Sequence, residues 1–400
     1  IRDRYYTGNS KLSSYYLDDP KKAAAALHPK HRLIWTRELD LETGQLTGPR
    51  SELDPAPYFA SGRLGSVTSM EGPHLYKKDG VYYLLASHGG TGENHAVSIW
   101  RGESPHGPWE LSPNSPIVTH RDYAESGIVA TGHADLVQTA GGDWWIVMLA
   151  IRATEGVRSP MGRETFLAPV DWSGEWPVVN PDREPGRIGF AMPHSGLPAP
   201  RVKDHDFFDD FSAPEPGLDW NFIRTPRSRW WDLETVPGTL RLALRPDTIA
   251  QFEQPSFLGM RVPQASAEFA TRVNFEPGAE GERAGLAVER SHEAHWELVL
   301  ERVSGKRVAA AYANGERVGD YAALPEGPVE LKMALADFRI TYFVRDGEGE
   351  WRSFAGADAD IIGYPKSGRY TGAAAGPYAS SNGRGSRATA DFEWFRLETR

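Results

Sequence analysis

The chain has 400 residues, a net charge of −10 and no cysteine. The acidic balance argues against a nucleic-acid footprint or a polybasic membrane surface. The missing cysteines exclude disulfides, thiol catalysis and cysteine–zinc sites, and fit either the cytoplasm or the exterior. No apolar run reaches the about 18 residues needed to span a bilayer, and the length suggests two or three domains. The 13 Trp, 15 Tyr and 16 Phe suffice for large cores and for platforms on which sugars stack.

The first six residues, Ile1-Arg2-Asp3-Arg4-Tyr5-Tyr6, read neither as a signal peptide nor as a natural start. Arg4-Tyr5-Tyr6-Thr7-Gly8 instead resembles the second strand of a hairpin whose first strand would precede Ile1. An alanine-rich patch at 20–27 is the one helical-looking stretch, an insertion in a loop. Residues 33–44 form an outer hairpin. Then comes Glu71-Gly72-Pro73-His74, followed by Leu75-Tyr76-Lys77, a Lys78-Asp79-Gly80 turn and Val81-Tyr82-Tyr83-Leu84-Leu85. Asp-Gly between two β-rich runs is a strong hairpin signal. It leaves Glu71 on a loop held by a rigid strand, where a fold presents an acid to a cleft; a solvated loop glutamate is the plainer alternative.

About 60 residues later the pattern returns. His133-Ala134-Asp135-Leu136-Val137-Gln138 opens an inner strand, the turn Ala140-Gly141-Gly142-Asp143 follows, and Trp144-Trp145-Ile146-Val147-Met148-Leu149 returns. An outer hairpin follows each inner one, at 96–100 and at 164–170. Four short strands per repeat is the signature of a β-propeller blade, and about two and a half blades are visible. A propeller must close its ring, so the domain is expected to continue in residues absent from this sequence, on a companion polypeptide or lost by cleavage. Trp144 and Trp145 alternate across their strand and suit the blade core.

Residues 181–205 are rich in Pro, Gly and charge and read as a linker. From 206 to 400 short alternating strands without helices predict a β-sandwich: 240–244, 267–273, 284–288, 296–300, 329–333 and 391–395. No Gly-x-Ser-x-Gly elbow, Walker loop or strand-linked Gly-x-Gly-x-x-Gly is present; Gly383-Arg384-Gly385 is a lone turn.

Four ordered runs resemble glycoside hydrolase family 43, in its β-xylosidase and α-L-arabinofuranosidase branch. They are Glu71-Gly72-Pro73-His74-Leu75-Tyr76; Gly89-Gly90-Thr91-Gly92 with His95-Ala96-Val97; Thr131-Gly132-His133-Ala134-Asp135-Leu136; and Gly162-Arg163-Glu164-Thr165. Asp209-Asp210-Phe211 and Trp220-Asn221-Phe222-Ile223-Arg224-Thr225-Pro226 are similar to the start of that branch's appended sandwich. The resemblance implies an all-β chain: a five-bladed β-propeller lacking its N-terminal blades (1–180), a linker (181–205) and a concanavalin-like jelly-roll β-sandwich (206–400).

It further implies an exo-acting, inverting glycosidase that releases xylose from β-1,4-xylo-oligosaccharides, with α-L-arabinofuranosidase or dual activity as the alternative. Glu71 matches the general acid. The family's two aspartates, a base and a residue that tunes the acid, have no match in Asp3, Asp18, Asp19 or Asp54. A non-catalytic carbohydrate-binding protein is therefore the reading from another class. Arg163 would fork onto sugar hydroxyls or hold a carboxylate ionised, or else pair with its neighbour Glu164. His133 would line the sugar pocket and reach an axial structural calcium through water; a lone His is as readily a satisfied polar residue. Thr91 and His74 would touch sugar or serve turn and packing roles. Tyr370, ahead of Thr371-Gly372, would close the pocket from a sandwich loop or lie in an ordinary strand and turn. No cofactor is required by this chemistry, and a homo-oligomer is compatible with it.

Overall fold

A computed structural model describes residues 5–11, 32–54, 57–58, 70–154, 159–192, 205–363 and 371–400. The alanine-rich patch at 20–27, Asp3, Asp18, Asp19, Tyr370 and residues 193–204 of the linker lie outside the described residues. The chain divides into two compact units, Ile1–Val157 with Arg163–Ala199, and Arg158–Gly162 with Pro200–Arg400. Both are all-β.

Among the described residues the first unit holds three antiparallel sheets. One is β1 (Tyr5–Lys11), β2 (Arg32–Leu39) and β3 (Leu46–Leu53). The second is β4 (Met70–Lys78), β5 (Val81–His88), β6 (Ala96–Gly102), β7 (Glu110–Leu111) and β8 (Val118–Thr119). The third is β9 (Ile128–Gln138), β10 (Trp144–Arg152), β11 (Glu164–Asp171) and β12 (Val178–Val179). Their turns follow from local chemistry. Asp79 and Gly80 both take positive φ, 49° and 86°, the geometry that lets a two-residue turn match strand twist. Between β9 and β10 the Thr139 hydroxyl accepts from the Asp143 amide at 3.2 Å. The core between the second and third sheets is built from Leu85, Val97, Ile99, Ile128, Leu136, Ile146 and Met148, all essentially excluded from solvent.

Two expectations change here. His133 does not open its strand: β9 begins five residues earlier, because Ile128 and Val129 pair with Arg152 and Ile151 of β10. Glu71 is not on a loop but inside β4, opposite Ser87.

The second unit stacks two antiparallel sheets. One contains β13 (Phe207–Asp209), β15 (Trp231–Asp232), β16 (Leu240–Ala243), β18 (Ala267–Asn274), β23 (Val329–Ala336), β24 (Arg339–Asp346), β25 (Arg352–Asp358) and β27 (Thr389–Thr399). The other contains β14 (Trp220–Phe222), β17 (Ser256–Arg261), β19 (Arg283–Ser291), β20 (Ala294–Val303), β21 (Lys306–Ala313), β22 (Glu316–Ala323) and β26 (Ala374–Ser380). Alternation sets the faces. In β20, Trp296, Leu298 and Leu300 enter the core between the sheets, so Glu297, Val299 and Glu301 face the other way.

That other face is also buried and holds a polar cluster. Arg283 Nε lies 2.7 Å from Glu301 Oε2. The Tyr312 hydroxyl donates to Glu301 at 2.6 Å and accepts from Arg283 at 2.8 Å. Burial pushes the neighbouring Glu297 carboxyl up to about 7, against the pull of Arg283. Burial also lowers His295 to about 4, so its 3.8 Å contact with Glu297 is not an ion pair near neutral pH. Glu297 binds its proton more tightly folded than unfolded. Its contribution is thus full below its ordinary 4.5 and is lost as pH rises through about 7. Glu297→Gln is expected to stabilise the protein by about 1–3 kcal/mol at pH 8 and to change little at pH 4.5, as read by urea unfolding at both pH values.

Candidate active site

Three backbone bulges build the site. In β4, Glu71 pairs with Ser87 and His74 with Leu85, so β4 carries one residue more than β5 across the same span. Gly72 takes φ 56° there, and Pro73 occupies a position where no ladder donor is needed, which is where a strand tolerates proline. In β9 the register slips twice against β10: Val129 faces Ile151, Gly132 faces Leu149, and Asp135 faces Val147. Each slip has a non-glycine residue at positive φ, Ala130 at 55° and His133 at 50°. Such conformations cost of order 1–3 kcal/mol and persist only where the surroundings enforce them.

The enforcing residue is His95. It is 1% exposed, and its Nδ1 donates to the Ala130 carbonyl at 2.8 Å, which fixes the tautomer. Its Nε2 is buried with no hydrogen-bond partner among the described residues. Burial lowers its pKa to about 4, with Glu71 opposing that shift and His133 and Arg163 adding to it. The imidazole is therefore neutral near pH 7 and lies within electrostatic reach of all three. A Cβ on Gly132 would stand 2.4 Å from the His95 ring, so glycine lets the strand lie flat on that imidazole.

With β9 turned this way, His133 Nδ1 comes to 3.6 Å from Glu71 Oε1. Gly72 makes room for it: a Cβ there would meet His133 Nε2 at 3.0 Å. One step along the same strands, His74 Nδ1 lies 3.5 Å from Asp135 Oδ1. The Tyr76 hydroxyl donates to Asp135 and accepts from the Leu136 amide at 2.9 Å. Arg163 Nη1 reaches Thr91 Oγ1 at 3.5 Å. The alternative pairing of Arg163 with Glu164 does not form in the expected way, because Glu164 is held by Arg152, with Nη2 to Oε1 at 2.8 Å.

Glu71, His133, Arg163 and Thr91 thus gather around the bulged ends of β4 and β9, and His74 adjoins them. Sequence reasoning missed His95 and Asp135 as parts of this arrangement, although both lie within the motifs that pointed to the site; the signal was the His95-Ala96-Val97 run beside Gly89-Gly90-Thr91-Gly92. Tyr370 falls outside the described residues. Among the described residues no group of three His, Asp or Glu converges to hold a metal ion.

A carboxyl, two imidazoles, a hydroxyl and a guanidinium on rigid strand ends make a site suited to polyhydroxylated ligands. The chain belongs to glycoside hydrolase family 43. The model for glycosyl hydrolases family 43 matches residues 11–177, and that for a β-xylosidase C-terminal concanavalin A-like domain matches 208–398. A non-reducing end α-L-arabinofuranosidase of Bacteroides ovatus is 36% identical over 84% of this chain and 63% of its own length. A xylosidase/arabinosidase of Butyrivibrio fibrisolvens is 34% identical over 91% of this chain and 70% of its own. The chain therefore spans about two thirds of the length of these relatives. A xylan β-1,4-xylosidase structure from Bacillus halodurans superposes with TM-score 0.83 at 27% identity, covering 93% of this chain and 71% of that one.

Because Gly132 lies against a buried, hydrogen-bonded ring, Gly132→Ala should cost about 1–3 kcal/mol in chemical denaturation. It should also lower turnover by displacing His133 from Glu71. An unchanged denaturation midpoint would show that the ring yields freely.

Proposed function

We propose that the protein is an exo-acting, inverting glycosidase that releases xylose from the non-reducing ends of β-1,4-xylo-oligosaccharides, with Glu71 as general acid. The observation that carries this reading is the approach of His133 to Glu71 at 3.6 Å across two bulged strands, with Arg163 and Thr91 beside them. The three sheets of the first unit are read as blades of a five-bladed propeller. The base and the acid-tuning aspartate belong, by family resemblance, to other blades.

In this mechanism the acid protonates the leaving oxygen while a carboxylate across the ring activates water. Glu71 is part-buried on a strand, so its carboxyl is held rather than swinging in solvent. Arg163 contributes a planar fork able to hold two sugar hydroxyls or to keep a carboxylate charged. Thr91 and His74 contact the sugar, and His133 orients it against the acid.

A second reading, α-L-arabinofuranosidase or dual activity, is favoured by the names of the two relatives at 36% and 34% identity. Xylopyranose and arabinofuranose place comparable hydroxyls in one pocket. Turnover of nitrophenyl xyloside against nitrophenyl arabinofuranoside decides between them, and turnover of neither would leave a carbohydrate-binding protein.

Glu71→Gln is expected to lose about 10²–10⁴-fold in hydrolysis of xylobiose, and less with activated aryl leaving groups, which need little protonation. Cleavage of xylobiose at the parent rate would remove Glu71 from the chemistry. Arg163→Lys should cost about 2–4 kcal/mol in kcat/KM terms, because a point charge does not replace a fork. Steady-state kinetics within threefold of the parent would make Arg163 structural.

A further inference from the structure

The hairpins that carry Glu71 and His133 at one end have a turn end, and a second groove opens there. Its volume is about 700 Å³. Lys78, one of its lining residues, ends β4, seven residues from Glu71. At about 3.3 Å per residue that places the groove roughly 20 Å from the candidate acid. It is thus separate from the site described above.

The lining is aromatic with a polar rim. Trp144 contributes a half-buried indole that packs on the buried Trp172, and Gln138, Asp143 and Asp182 are exposed beside it. Trp144 stands edge to face with Trp172, ring centroids 4.8 Å apart. Tyr83 also stands edge to face with Trp172 at 4.8 Å, so Trp144 packs on a fixed neighbour.

We propose that this groove is an accessory saccharide site that binds a main-chain segment of β-1,4-linked xylan. A neutral sugar chain presents flat C–H faces to an indole ring and hydroxyls to carboxylate and amide acceptors, and Trp144 with Asp143, Asp182 and Gln138 supplies both. The carboxylates at the rim disfavour anionic polymers. The groove lies away from the acid, so a chain seated there is not the end being cleaved. Holding the polymer there raises the effective concentration of nearby ends at Glu71. The choice of xylan rests on the reading of the substrate given above.

The test is affinity electrophoresis of the intact Glu71→Gln protein through gels containing soluble xylan, compared with the same protein carrying Trp144→Ala or Asp182→Ala. Retardation by xylan is expected, weakened about fivefold or more by Trp144→Ala, the scale of one lost aromatic contact, and weakened in the same direction by Asp182→Ala. In the background with Glu71 intact, both substitutions should leave hydrolysis of nitrophenyl xyloside within about twofold of the parent, because that substrate is too short to reach the groove. Asp182 is exposed, so its variant decides the matter if Trp144→Ala does not fold. No retardation of the Glu71→Gln protein, or retardation unchanged by a folded variant, would overturn the proposal. Failure of the substrate reading would show separately, as absent turnover of the nitrophenyl glycosides.

Discussion

The contact between the His95 ring and the Gly132 backbone is the constraint on which the rest of the site depends. Two residues of β9 without glycine's freedom, Ala130 and His133, stand at positive φ. The ring beneath them donates one hydrogen bond to Ala130 and fills the space a side chain at 132 would need. Without that support the strand would relax toward regular pairing with β10. A shift of one residue would turn His133 to the opposite face and away from Glu71. The neutrality of His95 matters equally, since burial disfavours its charge and a buried cation would sit among His133 and Arg163.

The bulge in β4 answers those in β9. Gly72 and Pro73 have distinct roles: Gly72 takes the left-handed conformation and leaves room for the His133 ring, and Pro73 sits where a ladder donor would be wasted. Asp135 extends the arrangement by binding the Tyr76 hydroxyl and approaching His74. Burial raises the Tyr76 pKa, and the Asp135 charge adds to it, so the phenol stays protonated and remains a donor. The site is therefore a set of paired strands locked by side chains that do not themselves face a sugar. Substitutions in this supporting layer should be read on stability and turnover together.

The two ends of the blade hairpins serve different physical ends. At the bulged end the backbone departs from regular geometry and charged groups converge. At the turn end tight turns close the hairpins, with Asp79, Gly80 and Gly142 at positive φ, and aromatic rings gather, with Trp144 and Tyr83 each edge to face with Trp172. In the second unit the same alternation puts Trp296 inside and Glu297 on a face that is also buried, and that carboxyl titrates near neutral pH as a result.

Much of this was legible in the residues alone. Period-2 runs, the Asp79-Gly80 turn, the repeat near 60 residues and the family motifs located Glu71, Thr91, His133 and Arg163, because turn chemistry and alternation are local properties. Several sandwich strands were not legible. The segment at β21 is dominated by Val308-Ala309-Ala310-Ala311, and alanine has little strand preference of its own. The position of His133 within β9, the pairing of Glu164 with Arg152 rather than Arg163, and the role of His95 under Gly132 were also decided only in three dimensions. Each depends on which residue of one strand lies opposite which residue of another. A bulge changes that by a single residue, and nothing in the local sequence of one strand records the register of its partner.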